Sequence, residues 1–264
     1  MNKPHKYHAR PSANKEETTR RNQMLIGLRP LQEAIDAGKE FDKVLIQRGL
    51  QGEIAQDVKA LLQKEQIPYQ LVPAEKLARI TSKNHQGIVA YLSMVEYRSL
   101  DNVVDGIFSK GEMPLILVLD RITDVRNFGA IARTAECQGA HAILIPSKGS
   151  ALATSDAMKA SAGALNRIPI CKTNDLKNTL FYLQQSGLRI IACTEKGNVP
   201  LYETNLRGSV AVIMGSEESG ITSDLLNMAD IKARIPMKGE IASLNVGVAA
   251  GMVFYERTRQ EIRG

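Results

Sequence analysis

The second half of the chain contains five short, largely apolar runs, and stretches with the apolar spacing of helices separate them. The runs are 115–119, 142–145, 189–193, 210–214 and 231–235. Continuous runs of Val, Ile and Leu are typical of strands that are buried on both faces, as in a parallel sheet covered by helices. Helical spacing occurs at 130–138, 155–160, 176–185 and 244–261. The sequence therefore predicts an α/β fold with a mostly parallel sheet.

A smaller α/β module precedes these runs. Strand patterns at 43–47, 68–72 and 87–92 alternate with helical patterns that begin near Gly27, Glu53 and Ala74. Residues 97–113 are polar, contain two glycines and end just before Pro114, so they are predicted to be a linker that could contain a helix. The predicted organisation is a tail at 1–23, a module at 24–96, this linker, and a large domain at 114–264.

Charge is concentrated at the start of the chain. The net charge is +6, and residues 1–23, with six Lys or Arg and two Glu, account for +4 of it. This basic tail is either a solvated, disordered leader or an arm that gains affinity for nucleic acid through phosphate contacts. No apolar run approaches the roughly 18 residues that span a bilayer, and the start does not resemble a signal peptide. We therefore expect a cytoplasmic protein with no membrane partner.

Potential metal ligands are scattered along the sequence. The three cysteines, Cys137, Cys171 and Cys193, are far apart, and no Cys-x-x-Cys motif occurs. His85 and His141 stand alone. We expect buried free thiols and no bound metal.

Polar blocks follow two of the predicted strands. The first, 120–133, contains Asn127 and Arg133, which could line a site or could be a helix cap and a surface ion pair. The second, Gly-Ser-Glu-Glu-Ser-Gly at 215–220, carries Glu217 and Glu218 and lacks Gly-Lys-Ser/Thr. Carboxylates there disfavour a triphosphate and suit a cationic or hydroxyl-bearing ligand, although a surface turn would look the same.

A third block, Ser243-Leu-Asn245, opens the last predicted helix. Ser243 or Asn245 could belong to a site or could simply cap this helix. The helix begins with small residues, which indicate close packing against another backbone, in this chain or in a second protomer. These residues are Gly247, Ala249, Ala250 and Gly251.

Together the three blocks resemble the sequence motifs of the SpoU (TrmH-type) branch of the SPOUT RNA methyltransferases. The matching segments are 127–133, 215–220, and 235–237 with 243–245, and residues 114–263 resemble the whole catalytic domain. The resemblance implies methyl transfer from S-adenosyl-L-methionine to a ribose 2′-hydroxyl of RNA. It also implies a C-terminal domain with a trefoil knot and a homodimer.

The resemblance also implies site residues. The catalytic set that it implies is Asn127, Arg133, Glu217, Ser243 and Asn245. The cofactor-binding set is Thr194, Gly215, Ile235 and Leu244. Because the pKa of arginine lies above about 12, we expect its guanidinium at 133 to bind phosphate or stabilise negative charge, and not to act as a base.

The front module carries a second resemblance. Segments 26–31 and 85–90 resemble the ribosomal-protein-like RNA-binding domain that precedes the catalytic domain in the family's 23S rRNA guanosine 2′-O-methyltransferases. The resemblance favours rRNA as the substrate. A tRNA guanosine methyltransferase and a non-catalytic RNA-binding protein of the same fold remain alternatives. A dinucleotide-dependent oxidoreductase is disfavoured because no Gly-x-Gly-x-x-Gly follows a strand.

Overall fold

The structure is a computed structural model that describes residues 24–65, 67, 69–241 and 243–262. The predicted basic tail at 1–23 lies outside the described residues. The chain divides into two compact units between Ser93 and Met94. No helix in the described ranges is both long and apolar enough to cross a membrane.

The first unit is a four-stranded sheet with helices, in the order β1-β4-β2-β3. β4 pairs antiparallel with β1 and β2, and β2 pairs parallel with β3. The three-residue edge strand β1 was not predicted from the sequence. The elements are β1 Met24–Ile26, α1 Leu28–Asp36, β2 Phe41–Gln47, α2 Glu53–Lys64, β3 Tyr69–Val72, α3 Ala74–Ile80 and β4 Ile88–Leu92.

The second unit is an eight-stranded, wholly parallel sheet in the order β10-β12-β9-β11-β6-β7-β8-β5. Its strands are β5 Tyr97–Arg98, β6 Leu115–Asp120, β7 Ala142–Pro146, β8 Ile170–Thr173, β9 Arg189–Cys193, β10 Val199–Pro200, β11 Val210–Gly215 and β12 Ile231–Arg234. Its α-helices are α4 Leu100–Ser109, α5 Val125–Cys137, α6 Ser155–Ala160, α7 Leu176–Gln185, α8 Ser223–Met228 and α9 Val246–Ile262. The predicted parallel α/β fold is confirmed.

Alternate residues of each central strand enter different cores, which explains the continuous apolar runs. In β6, Ile116 and Val118 pack into the core on the side of α4, α7 and α8. Leu117 and Leu119 pack into the opposite core, on the side of α5, α6 and α9. A strand covered on both faces has no position left for a polar side chain until it reaches the end of the sheet.

The segment 97–113, predicted to be a linker, is folded into the second unit. β5 pairs with β8 at the edge of the sheet. Helix α4 buries Leu100, Val104 and Ile107, whose spacing places them on one helix face. The helix that the sequence allowed is therefore present, but the segment belongs to the second unit and is not a free linker. The trefoil knot stays a prediction.

Candidate active site

A cavity of about 400 Å³ lies where β9, β11 and β12 end. Loops that follow these three strands line it, together with the start of α9. Ligand sites of open parallel sheets lie at this edge. The structure brings together all four residues predicted to bind the cofactor and two of those predicted to be catalytic. They are Thr194, Gly215, Ile235, Leu244, Glu217 and Ser243.

Gly215 ends β11 where the chain folds back on itself. A Cβ atom at this position would lie 2.1 Å from the carbonyl carbon of Gly220. The turn is closed by the Gly220 N–H, which donates to the Ser216 carbonyl at 2.9 Å, and Gly220 has a left-handed φ of +63°. The shape of the cavity wall therefore requires a residue without a side chain at 215.

A buried carboxylate ties this loop to the first polar block. Asp120, only 2% exposed at the end of β6, accepts a hydrogen bond from the Thr222 N–H at 2.6 Å. The Arg121 guanidinium donates to Asp120 at 3.2 Å and to the Gly220 carbonyl at 3.2 Å. Neither residue was predicted from the sequence to belong to a site. The available signal was a carboxylate directly after a buried apolar strand.

The side-chain amide of Asn245 joins all three blocks. Its Nδ2 donates to Asn127 Oδ1 at 3.0 Å and to Glu217 Oε1 at 2.7 Å. The Val246 N–H also reaches Glu217 Oε1, at 3.3 Å. Residues from three distant segments therefore meet in one hydrogen-bonded cluster beside the cavity.

The alternative that these residues cap helices is wrong for Asn127 and correct for Asn245. Asn127 is not the cap of its helix, because Asp124 accepts the N–H groups of Arg126 and Asn127, each at 2.8 Å. Helix α5 begins at Val125, five residues before the helical spacing at 130–138. Asn245 does cap α9, since its Oδ1 accepts from the Gly247 N–H at 3.0 Å and the Val248 N–H at 3.3 Å. One side chain thus caps α9 with its oxygen and holds the cluster with its nitrogen.

Arg133 stands apart from this cluster. It is exposed on α5, about 9 Å along the helix axis from Asn127. It is not among the residues that line the cavity. Within the part of the chain that the structure describes, its guanidinium has no ion pair, so the surface ion pair considered above is not found.

The cavity is acidic. Its charged lining residues are three glutamates, Glu195, Glu217 and Glu218, and Lys196. Thr194 is 7% exposed, and its hydroxyl donates to Glu195 at 3.2 Å. Burial and the nearby charge of Glu195 raise the pKa of Cys193 to about 12, so this lining thiol stays neutral. An excess of carboxylates suits a small cationic molecule such as one with sulfonium and ammonium groups.

The described residues contain no group of three or more His, Cys, Asp or Glu side chains arranged to hold a metal ion.

Comparison with known proteins assigns both units. Residues 114–255 match the SpoU rRNA Methylase family, and residues 24–98 match the family "RNA 2′-O ribose methyltransferase substrate binding". The chain is 31% identical over 236 residues to the putative TrmH family tRNA/rRNA methyltransferase YacO of Bacillus subtilis, covering 89% of this chain and 95% of that protein. It is 32% identical over 239 residues to a putative TrmH family tRNA/rRNA methyltransferase of Staphylococcus aureus, covering 90% and 96%.

Solved structures show the same fold. The SpoU methyltransferase AviRb of Streptomyces viridochromogenes, in complex with AdoMet, aligns with a TM-score of 0.59 and 22% identity over 96% of each chain. The crystal structure of an RNA 2′-O ribose methyltransferase aligns with a TM-score of 0.53 and 27% identity, over 95% of this chain and 93% of that one.

The chain belongs to the SpoU (TrmH-type) family of RNA methyltransferases. It is an S-adenosylmethionine-dependent RNA 2′-O-ribose methyltransferase, and RNA is its partner. The family and the cofactor predicted from the sequence are confirmed.

Proposed function

We propose that this enzyme methylates the ribose 2′-hydroxyl of a guanosine in 23S rRNA, in the cytoplasm. The main support is the match of residues 24–98, which include the described part of the first unit, to a substrate-binding family of the RNA 2′-O-ribose methyltransferases. The family that matches the second unit is described as an rRNA methylase family. A tRNA substrate is the second candidate, because the similar bacterial proteins are named tRNA/rRNA methyltransferases.

The arrangement of the cavity supports the proposed cofactor site. S-adenosylmethionine, when bound, supplies a methyl group that its sulfonium centre has already activated. We assign its binding to Thr194, Gly215, Ile235 and Leu244, which line one cavity. The acidic wall described above complements its positive charge. The close turn at Gly215 keeps the cavity wall in one shape, so little conformational freedom is lost on binding.

The hydrogen-bonded cluster is proposed to align the acceptor ribose. Asn127, Ser243 and Asn245 would orient the sugar and its hydroxyl, and Glu217 would hold the Asn245 amide in place. Arg133, exposed and without an ion pair among the described residues, would bind an RNA phosphate or stabilise the negative charge that develops on the attacking oxygen. Alignment and charge stabilisation together lower the barrier to in-line transfer.

The substrate is tested by incubating the full chain with methyl-labelled S-adenosylmethionine and either 23S rRNA or tRNA transcripts. We expect label in 23S rRNA, and mapping of the labelled ribose gives the position. Label only in tRNA would overturn the rRNA assignment, and label in neither RNA would favour a non-catalytic protein.

The roles of Asn127 and Arg133 are tested by changing each to alanine. Each variant should lose methyl transfer by about 100-fold or more, because loss of one transition-state contact has effects of this size. Lys177→Ala, on α7 in the opposite layer, is the matched control and should keep full turnover. Wild-type turnover in both variants would refute the assigned roles.

The last helix supports a homodimer, but through a face other than the small-residue face. Gly247 and Gly251 face α5, since Cβ atoms at these positions would lie 3.6 Å from Ala130 Cβ and 3.9 Å from Thr134 Cγ2. The small residues thus serve packing within the chain. A second face of α9, about 100° around the helix axis from the glycines, exposes an apolar stripe at Val248, Met252 and Tyr255.

We propose that this stripe, at i, i+4 and i+7, is the dimer contact. Met252→Glu should shift the molar mass measured by light scattering from dimer to monomer. Met113→Glu, at another exposed methionine, should leave the mass unchanged. A wild-type chain that is monomeric at micromolar concentration would contradict the proposal.

A further inference from the structure

Three loops of the first unit meet at one edge of its sheet. β1 and β2 end where the antiparallel β4 begins, so the segments after β1 and β2 and before β4 are neighbours. The Gly27 N–H donates to the Ile88 carbonyl at 3.0 Å, and the Gln47 N–H donates to the Gly87 carbonyl at 2.8 Å. We call residues 27–29, 48–50 and 83–87 the basic edge.

The turn before β4 is held in one conformation. Gln86 has a left-handed φ of +48°, which is unusual for a residue with a side chain. His85 fixes the turn from both sides: its Nδ1 accepts the Gly87 N–H at 3.0 Å, and its carbonyl accepts the Ile88 N–H at 2.7 Å. Close contact with Gly27, where a Cβ would lie 3.2 Å from Gln86 Oε1, restricts the turn further.

This turn carries hydrogen-bonding groups without partners among the described residues. Because His85 Nδ1 is an acceptor, a neutral ring carries its proton on Nε2, and this N–H has no partner in the described ranges. Gln86 is exposed, and its side-chain amide offers both a donor and an acceptor. Such groups can read the edge of a base.

Charge distinguishes this edge from the opposite one. The basic edge contains Arg29, Arg48 and Lys83 and no carboxylate. All three are exposed and make no ion pair within the described residues. At the other end of the same sheet, the charged residues just before β2 and just after α2 are Lys39, Glu40 and Glu65.

We propose that the basic edge is the surface of the first unit that binds the substrate RNA. Arg29, Arg48 and Lys83 contact phosphates, and Gln86 with His85 Nε2 reads an unpaired base. A single-stranded or looped segment fits better than a duplex, because the major groove of an A-form helix is too deep and narrow for side chains to read the bases. This inference rests on the proposed function only in taking RNA as the substrate.

The test compares two double variants of the full chain by fluorescence anisotropy with labelled 23S rRNA and tRNA transcripts. Arg48→Ala with Lys83→Ala should raise Kd at least tenfold and reduce the slope of log Kd against log salt by about 1.4 to 1.8, since each lost phosphate contact contributes about 0.7 to 0.9. Lys39→Ala with Lys64→Ala, at the opposite end, is the control and should change neither value.

Gln86→Gly separates base reading from charge. Glycine adopts a φ of +48° freely, so the turn keeps its shape while the amide is lost. We expect RNA affinity to fall severalfold with an unchanged salt slope and an unreduced Tm. Cofactor affinity, measured by calorimetry, should stay at the wild-type value in every variant.

Equal effects of the two double variants would overturn the phosphate assignment, and unaltered affinity of Gln86→Gly would overturn base reading. Binding is measured without methyl transfer. A chain whose RNA binding depends on the basic edge, but which methylates only tRNA, would therefore refute the rRNA assignment and uphold this inference.

Discussion

The loops at the ends of the two sheets differ in whether their polar groups are hydrogen-bonded to one another. At the cavity of the second unit, polar groups are paired with one another, as in the contacts of Asn245 with Asn127 and Glu217 and of Asp120 with Thr222. At the basic edge of the first unit, cations and donors have no partners among the described residues.

This difference matches the size of the ligands that we propose for the two sites. A small cofactor must be placed to within a fraction of an ångström for transfer to occur, so its loops need mutual support. A long polyanion gains affinity from many weakly constrained phosphate contacts, so free charges suffice. Four of the predictions below test the packing and the polar contacts of the second unit. One tests a turn of the first unit.

The largest effect is expected for Gly215→Ala. The added methyl would overlap backbone atoms of Gly220 and Ile221, which cannot rotate away as a side chain could. The loop must shift, and we expect cofactor affinity to fall by about 100-fold or more, because overpacking against backbone has no cheap relief. Calorimetric titration with S-adenosylmethionine measures this. Gly239→Ala, with open space around its Cβ, is the control; equal affinities in the two variants would show that the loop is pliable.

Asn245→Asp should come next. The aspartate keeps an oxygen to cap α9 but replaces the amide that donates to Glu217 with a second carboxylate, which repels it. We expect kcat to fall about 100-fold, as for the loss of an active-site hydrogen bond. The Tm should change by no more than a few degrees. A normal kcat would mean that the cluster is not needed for transfer.

Asp120→Asn should have an intermediate effect. The buried carboxylate becomes a neutral acceptor, so its bonds from the Thr222 N–H and Arg121 weaken. We expect about a tenfold loss of cofactor affinity, equivalent to about 1.4 kcal/mol. Arg121→Gly is informative beside it, because Arg121 has a φ of +59° that glycine tolerates. If Arg121→Gly alone matched Asp120→Asn, the ion pair would account for the whole effect.

Gly87→Ala tests the first unit. Its Cβ would meet the end of the Leu50 side chain at 2.6 Å, and its φ is +79°. Because a flexible side chain can move, the main cost is the left-handed conformation, about 1 to 2 kcal/mol of unfolding free energy. Denaturant unfolding should show this loss, with cofactor affinity unaltered. A loss of cofactor affinity would contradict the separate roles of the two units.

The smallest effect concerns thiols. Burial raises the pKa of both Cys171 and Cys193 to about 12, whereas Cys137, which was predicted to be buried, is exposed. At pH 8 the two raised groups stay protonated and unreactive, so a disulfide reagent should label one thiol per chain rapidly. Saturating cofactor should slow the reaction of Cys193 by a few-fold, since it lines the cavity. Rapid labelling of three thiols would show that the second unit is loosely packed.

Much of the second unit could be predicted from the sequence because buried strands leave a continuous apolar signal. The runs at β6, β7, β9 and β11 coincide with strands to within one residue. Strands β5 and β10 have only two residues each and carry no such signal. The helix at 100–109 was obscured by the polar residues around its apolar positions.

For the candidate site, the motifs predicted residues that the structure brings together around the cavity, although Arg133 stands apart, and they did not predict the hydrogen bonds. The motifs gave the residues around the cavity, but nothing in the spacing showed that Asp124 caps α5 or that Asp120 holds the loop after β11. These contacts join residues about a hundred positions apart or depend on local backbone geometry. The partner of the small-residue face of α9 could not be predicted either, because small residues produce the same sequence pattern whether a helix packs within its own chain or against a second protomer.

The double use of Asn245 has a consequence for local motion. The first turn of α9 cannot fray without releasing the amide that joins Asn127 and Glu217, so opening of this turn also dismantles the site. A molecule that binds only the closed form must suppress that opening. Hydrogen exchange at the amides of Gly247 and Val248 should therefore slow as the cofactor binds, which makes two backbone protons a direct gauge of occupancy.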